Sequence, residues 1–253
     1  MTLGVASPLL REAPGSDDSV PRLELTEWRE RFGVIAGITT REQGFDLGLW
    51  GEGTAGDALA RWRAFRLAFQ PSFRVSLTSH QVHGTDVRWH DDAEGRGWTL
   101  QENVDGHATP AAGILLSVTV ADCVPVYLVA PEHGVVALLH AGWRGVAGGI
   151  LRSGVALLER QRRVRPHDLV MHCGVSICGR CYEVGQDVAL RFGESARTVD
   201  LRAILAGQAA ELGIRDVTIS PWCSAHDRDR FFSHRASGGR DGRMAAYIGR
   251  PVA

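Results

Sequence analysis

The stretch from Ala111 to Ala130 holds twenty mostly apolar residues, about the length a membrane-spanning helix needs. Asp122, Cys123 and Pro125 stand at its middle, and a charge there is costly in hydrocarbon. The stretch therefore reads as a buried strand, a short polar loop and a second strand. Ile114–Val120 and Val124–Val129 are the strands, and Ala121-Asp122-Cys123 is the loop between them. A turn at Pro131–Gly134 leads into a third apolar run, Val135–His140.

The rest of the chain mixes both kinds of element around this centre. Gly33–Thr39 reads as a strand, and Arg74–His83 begins as a β-type run. Asp57–Gln70 has a broad apolar face and ends at Pro71, as a helix would. Val146–Arg160, with Val146, Ile150, Leu157 and Leu158 on one face, predicts an amphipathic helix. Leu201–Leu212 predicts another helix, and Leu169–His172, Val217–Ser220 and Met244–Ile248 predict strands. Asp91–Gly106 is polar and glycine-rich. Residues 1–21, rich in Ser, Pro, Asp and Gly without periodicity, read as a loose leader. No linker or repeat interrupts residues 22–253. Strands and helices alternate without a strict βαβ rhythm, which favours one α+β domain.

Composition removes several functions. The 28 basic residues are all arginine, so chemistry that needs an ε-amine, such as a Schiff base or a P-loop lysine, is excluded. A formal net charge of -1 is not the electrostatic footprint of a nucleic-acid binder. Five cysteines are an odd number and do not suggest a disulfide framework. The first ten residues lack the basic and apolar regions of a signal peptide, so a cytoplasmic protein acting on neither nucleic acid nor membrane is expected.

Metal-competent side chains recur at the ends of the apolar runs. His80 and His83 lie in Ser-His-Gln-Val-His-Gly, Cys123 in Ala-Asp-Cys-Val-Pro, and His140 in His-Ala-Gly-Trp-Arg-Gly. Imidazole nitrogen and thiolate sulfur suit Zn2+, and a catalytic zinc takes three protein ligands with a fourth position open. His83, Cys123 and His140 can supply that set from three loops. Any one of them also reads as a buried structural residue. Gly-Trp-Arg-Gly after a strand presents backbone amides and Arg144 where a helix opens, a place that suits an anion. Arg41 is a second candidate, because its planar fork matches phosphate or carboxylate.

Other patterns carry less. Gly51–Gly56 formally matches G-x-G-x-x-G, but no apolar strand precedes it, and no acidic residue stands between Asp57 and Asp86 to hold a ribose. It reads as a loop. Gly174–Cys178 misses the final glycine of a nucleophile elbow. Cys178-x-x-Cys181 has the spacing of half a zinc site or a redox pair. Cys173 and Cys223 form no second close pair, so these cysteines are expected to be packing thiols.

Taken together, these runs resemble the YfiH-type family, also called laccase-domain or polyphenol oxidase proteins and regarded as purine nucleoside phosphorylases. Thr39-Thr40-Arg41, Cys181-Tyr182-Glu183-Val184, Arg230–Arg235 and Gly242-Arg243 extend the resemblance over about residues 30–250. Three segments depart from the family pattern. Its Gly-Pro-Ala-Ile is Gly174-Val175-Ser176-Ile177 here, its Phe-Ser-Tyr-Arg is Phe232-Ser233-His234-Arg235, and its Arg-x-Gly-Gly is Arg41-Glu42-Gln43-Gly44.

The resemblance implies an α/β/β/α sandwich with mixed β-sheets and a zinc held by His83, Cys123 and His140. It implies phosphorolysis of adenosine, inosine, guanosine and methylthioadenosine, with adenosine deamination in the same site. Gly174 and Tyr182 would help bind substrate. Deamination needs a metal to activate water toward purine C6, and His80 or Asp122 to move the proton. Phosphorolysis needs phosphate held beside ribose C1′ by Arg41 or Arg144. In an extended backbone His80 and His83 point to opposite faces, so both can serve only if the chain turns near Val82. Four alternatives use the same residues: a Cys123 nucleophile with His140 as its base, a single copper in a phenol oxidase, an editing hydrolase of peptidoglycan precursors, and a non-enzymatic binding protein.

Overall fold

A computed structural model describes residues 12–15, 20–49, 55–92, 97–193 and 197–252. Its strands and helices, labelled in chain order, form two mixed sheets packed face to face with helices on both outer sides. One sheet has seven strands in the order β1-β2-β3-β13-β8-β4-β6. These are β1 (Glu12–Pro14), β2 (Arg22–Leu25), β3 (Ile35–Thr39), β4 (Val75–His80), β6 (Gly97–Glu102), β8 (Ile114–Val120) and β13 (Met244–Gly249). The other has six strands in the order β12-β11-β9-β10-β7-β5. They are β5 (Val87–Trp89), β7 (Gly106–Thr109), β9 (Val124–Ala130), β10 (Val135–Ala141), β11 (Val170–Cys173) and β12 (Asp216–Ile219). This is the expected α+β sandwich.

The continuous apolar runs arise because the central strands are covered on both faces. Along β9, Val124, Val126, Leu128 and Ala130 pack outward against the helices, while Tyr127 and Val129 pack inward against the first sheet. On β10, Val135, Ala137 and Leu139 face outward, and Val136 and Leu138 face inward. In β8, Leu116, Val118 and Val120 face inward and Leu115 faces outward. Each fully buried aliphatic side chain of this kind contributes about 1.5–3 kcal/mol.

Helix α2 (Ala55–Phe69) covers the first sheet with Ala58, Trp62, Phe65 and Phe69, a spacing that puts all four on one helical stripe. The Trp62 indole N–H donates to the Leu47 carbonyl at 2.9 Å. The second sheet is covered by α4 (Ile150–Arg162) and α6 (Leu201–Leu212). Asp200 caps α6 by accepting from the Arg202 and Ala203 amides, and left-handed Gly213 ends it.

The helix expected over Val146–Arg160 is two helices. The six-residue α3 (Trp143–Gly148) stops at Gly149, whose φ of 85° is left-handed, and α4 restarts there. Two other short helices lack a readable apolar stripe in the sequence, α1 (Thr26–Phe32) and α5 (Gln186–Arg191). The polar stretch before Gly106 contains β6. Glu12–Pro14, within the stretch that composition reads as a leader, pairs antiparallel with β2. Residues 51–54 of the G-x-G-x-x-G match lie outside the described residues, and Ala55 and Gly56 open α2.

Candidate active site

The site forms where one end of β4, β8, β9 and β10 comes together. β4 ends at His80. The chain then turns, and His83 adopts a left-handed φ of 60°. The turn needed near Val82 is therefore present. β8 crosses to the other sheet through Ala121–Cys123, and Asp122 takes a φ of 90° in the crossing. In the β9–β10 hairpin, Val124 pairs with Ala141 and Pro125 with His140. That register sets Cys123, one residue before β9, next to the end of β10.

His83, Cys123 and His140 bring their ligand atoms within 4.8 Å of one another. Asp105, which precedes β7, organises this group and carries no recognisable sequence motif. Its Oδ1 lies 2.8 Å from His140 Nδ1 and accepts the His83 amide at 3.0 Å. Its Oδ2 accepts the Gly84 amide at 2.7 Å and the Val82 amide at 3.2 Å. One buried carboxylate thus fixes the His83 turn and the His140 ring together, leaving His140 Nε2 for a metal. A carboxylate behind a histidine ligand is the usual way to orient it.

The electrostatics follow from this packing. Burial opposes ionisation of Asp105, but the hydrogen bonds from His140, Gly84 and Val82 hold its pKa below the ordinary carboxylate value. Burial would raise the Cys123 thiol, yet His140 and His83 more than reverse this and bring it down to about 6. Burial would lower His140, but the Cys123 thiolate and Asp105 raise it to about 9. A soft thiolate beside two imidazoles is a fitting donor set for a single zinc or copper ion. Gly142 completes the cradle, because a Cβ there would stand 2.8 Å from His83 Cδ2 and 3.1 Å from Cys123 Sγ.

The three residues open on a cavity of about 560 Å3, the size of a small-molecule site. His80, Asp122, Arg144 and Tyr182 also line it. Arg41 and Gly174 are not among its lining residues. The Arg41 guanidinium donates to the Arg228 carbonyl at 3.2 Å, lies 3.5 Å from Asp241 and covers Phe232. Gly174 packs so closely that a Cβ would sit 2.7 Å from the Tyr127 ring.

His80 Nδ1 lies 3.3 Å from the Glu102 carboxylate at the cavity rim. Asp122 is engaged differently. Its Oδ1 accepts the Ser224 and Ser233 hydroxyls at 2.7 Å each, and its Oδ2 accepts the Arg235 amide at 2.7 Å. It ties the β8–β9 crossing to the C-terminal loops. Arg144 stacks on Trp143 at 4.4 Å. Because α3 has only six residues, its aligned dipoles add little to an anion site here, and side-chain charge must do more. Arg235, Arg240 and Arg243 supply that charge from the same cavity. The sequence signal for them is the clustering of arginine between Arg235 and Arg243. Burial pushes the Tyr182 phenol up to about 12, further from ionising than an ordinary tyrosine, which is itself neutral at pH 7.

The family model described as multi-copper polyphenol oxidoreductase laccase matches residues 35–251. The chain belongs to that family. Among members of this laccase-domain family, a Geobacillus stearothermophilus protein named purine nucleoside phosphorylase YlmD is 33% identical across 86% of this chain and 90% of its own. A Deinococcus radiodurans purine nucleoside phosphorylase is 39% identical across 68% and 69%. The crystal structure of YlmD from G. stearothermophilus superposes with a TM-score of 0.84 at 29% identity, covering 96% of this chain and 99% of that one. The Bacillus licheniformis YfiH structure gives 0.81 at 26% identity, covering 92% and 97%. Among the described residues, no helix is long and apolar enough to cross a membrane.

Proposed function

We propose that this chain is a metal-dependent purine nucleoside phosphorylase that also deaminates adenosine. His83, Cys123 and His140 would hold one zinc ion. The observation that carries this reading is the convergence of those three donors within 4.8 Å on a cavity that also presents Arg144, Arg235, Arg240 and Arg243. A metal site and a cluster of four guanidiniums suit a reaction between a polar heterocycle and phosphate. Relatives named purine nucleoside phosphorylase point the same way.

Bound there, zinc supplies Lewis acidity toward an oxygen or nitrogen of the reactants. The protein's own groups do the rest. In phosphorolysis the bond from ribose C1′ to the purine nitrogen breaks, and a bond from C1′ to a phosphate oxygen forms. The arginines hold the phosphate by charge-assisted hydrogen bonds and offset the charge on its attacking oxygen. His80, oriented by Glu102, delivers the proton that the departing purine needs. In deamination, water replaces ammonia at purine C6, and the same histidine carries a proton to the leaving nitrogen. Tyr182 donates a neutral hydrogen bond from the cavity wall. Asp122 positions the C-terminal loops, because its carboxylate already accepts three hydrogen bonds.

The test is chromatography of adenosine, inosine, guanosine and methylthioadenosine incubated with the protein, with and without phosphate. Adenine with ribose 1-phosphate reports phosphorolysis, and inosine formed from adenosine reports deamination. Protein carrying stoichiometric metal at this site but inert toward all four nucleosides would overturn the proposal.

A further inference from the structure

A second group of donors lies outside this cavity. We infer that Cys178, Cys181, Cys223 and His226 form a closed, tetrahedral zinc site that staples together the loops following β11 and β12.

These strands pair in parallel, with Cys173 opposite Ile219, so both chains leave the sheet at the same end. The loops then stay in register. The Ser220 amide donates to the Cys173 carbonyl at 2.8 Å, and the Ser224 amide to the Ser176 carbonyl at 3.1 Å. Each loop makes one tight turn. The Cys181 amide donates to the Cys178 carbonyl at 3.0 Å, and the His226 amide to the Cys223 carbonyl at 3.1 Å. Cys178-x-x-Cys181 and Cys223-x-x-His226 are therefore two matching turns, each presenting its first and fourth side chains to a common point. The second pair escapes a search confined to cysteines, which is why packing thiols are expected from the sequence.

All four donor atoms lie within 4.8 Å of one another. Cys181 Sγ is 3.1 Å from His226 Nε2, and Cys178 Sγ is 3.7 Å from His226 Nδ1. Ligands at zinc bond lengths on a tetrahedron stand about 3.5–3.8 Å apart. His226 binds through one ring nitrogen only, so the ring and the thiols close by up to about 1 Å around an ion. The Cys178 amide donates to Cys223 Sγ at 3.3 Å, the kind of outer hydrogen bond that steadies a thiolate ligand.

Donor chemistry selects the ion. Three thiolates and an imidazole match structural zinc, and four protein ligands leave no position for a reactant. Binding would release the three thiol protons and leave the centre with a net charge of one minus. Arg180 and Arg202 border the same cleft together with Asp200 and Asp227, and Arg202 is paired with Asp200 at 3.5 Å, so the surroundings are close to neutral. His226 is exposed while Cys178 and Cys223 are buried, so the ion has a path in from solvent.

The site does not depend on the phosphorylase reading, but it bears on the cavity. Cys181 precedes Tyr182, a cavity residue, and Cys223 precedes Ser224, which donates to Asp122. Fixing the cysteines fixes both walls.

The experiment is metal analysis of the full chain, expressed with zinc and purified without chelator, as wild type, His83→Ala and Cys223→Ser. Two zinc ions per chain in the wild type and one in each variant are expected. His83→Ala leaves all four donors of the second site intact, so it decides the matter even if Cys223→Ser does not fold. Loaded with Co2+, the His83→Ala protein should show tetrahedral d–d bands and strong thiolate charge transfer. A single zinc in the wild type that vanishes in His83→Ala would overturn the proposal. So would a Cys178–Cys181 disulfide in His83→Ala protein kept under reducing conditions, or Cys178, Cys181 and Cys223 alkylating there without metal release.

Discussion

The two His/Cys clusters differ in how the chain assembles them. The cavity cluster draws one residue from each of three separate segments, the turn after β4, the crossing before β9 and the last residues of β10, and the register of the β9–β10 hairpin joins two of them. The other cluster comes from two local turns, each supplying a pair at i and i+3. The first has three donors and opens on about 560 Å3 of space, and the second has four donors at a loop junction. Around an ion, the three long-range donors would leave a coordination position for chemistry, whereas the four donors of the local turns would saturate it.

The sharpest way to break this contrast is His83→Ala. It should abolish phosphorolysis and deamination while leaving the metal of the Cys178 cluster in place, as seen by product chromatography and metal analysis of one sample. His80→Ala should lower kcat about 10²–10⁴-fold, the usual contribution of a general acid, with the cavity metal retained. Equal loss of metal in that variant would reassign His80 as a ligand. Asp105→Asn should cost about 10–100-fold in metal affinity or activity, the typical effect of losing a group behind a ligand. Zinc titration of the stripped protein measures it, and the second cluster should be unaffected.

Gly142→Ala tests the cradle, since its Cβ would press on His83 and Cys123. Weaker metal binding is expected with little change in melting temperature. The smallest effect concerns pH. Because Cys123 is depressed to about 6 in the metal-free protein, it is a thiolate above that pH and a thiol below it. Its alkylation rate should rise through about pH 6 rather than near the 8.5 of a free thiol. Cys173, whose thiol burial pushes up to about 12, should stay unreactive over the same range. Mass spectrometry of the labelled peptides separates the two.

What the sequence made legible tracks what local interactions decide. Ile114–Val120 and Leu201–Leu212 are observed at the bounds read from the sequence, because the first carries Ile114, Leu116, Val118 and Val120 on one fully buried face and the second has a cap at each end. Val146–Arg160 hides a break because Gly149, read alone, is only a weak helix former, and its left-handed role appears in the folded chain. Asp105 could not be found from its neighbours. Its place beside His140 is a consequence of β7 pairing with β10, thirty-odd positions away. Arg41 belongs to a recognisable motif, but its partners Arg228 and Asp241 come from the far end of the chain.

β13 carries a last consequence. Although it is formed by Met244–Gly249, it lies between β3 and β8 in the middle of its sheet. On the ribosome, every other strand of that layer emerges before the piece that joins its two halves. The nascent chain must therefore wait with two unzipped edges exposed, a condition that invites aggregation. Substitutions that weaken β13 should thus lower the yield of soluble protein more than equal changes in the edge strand β1 do.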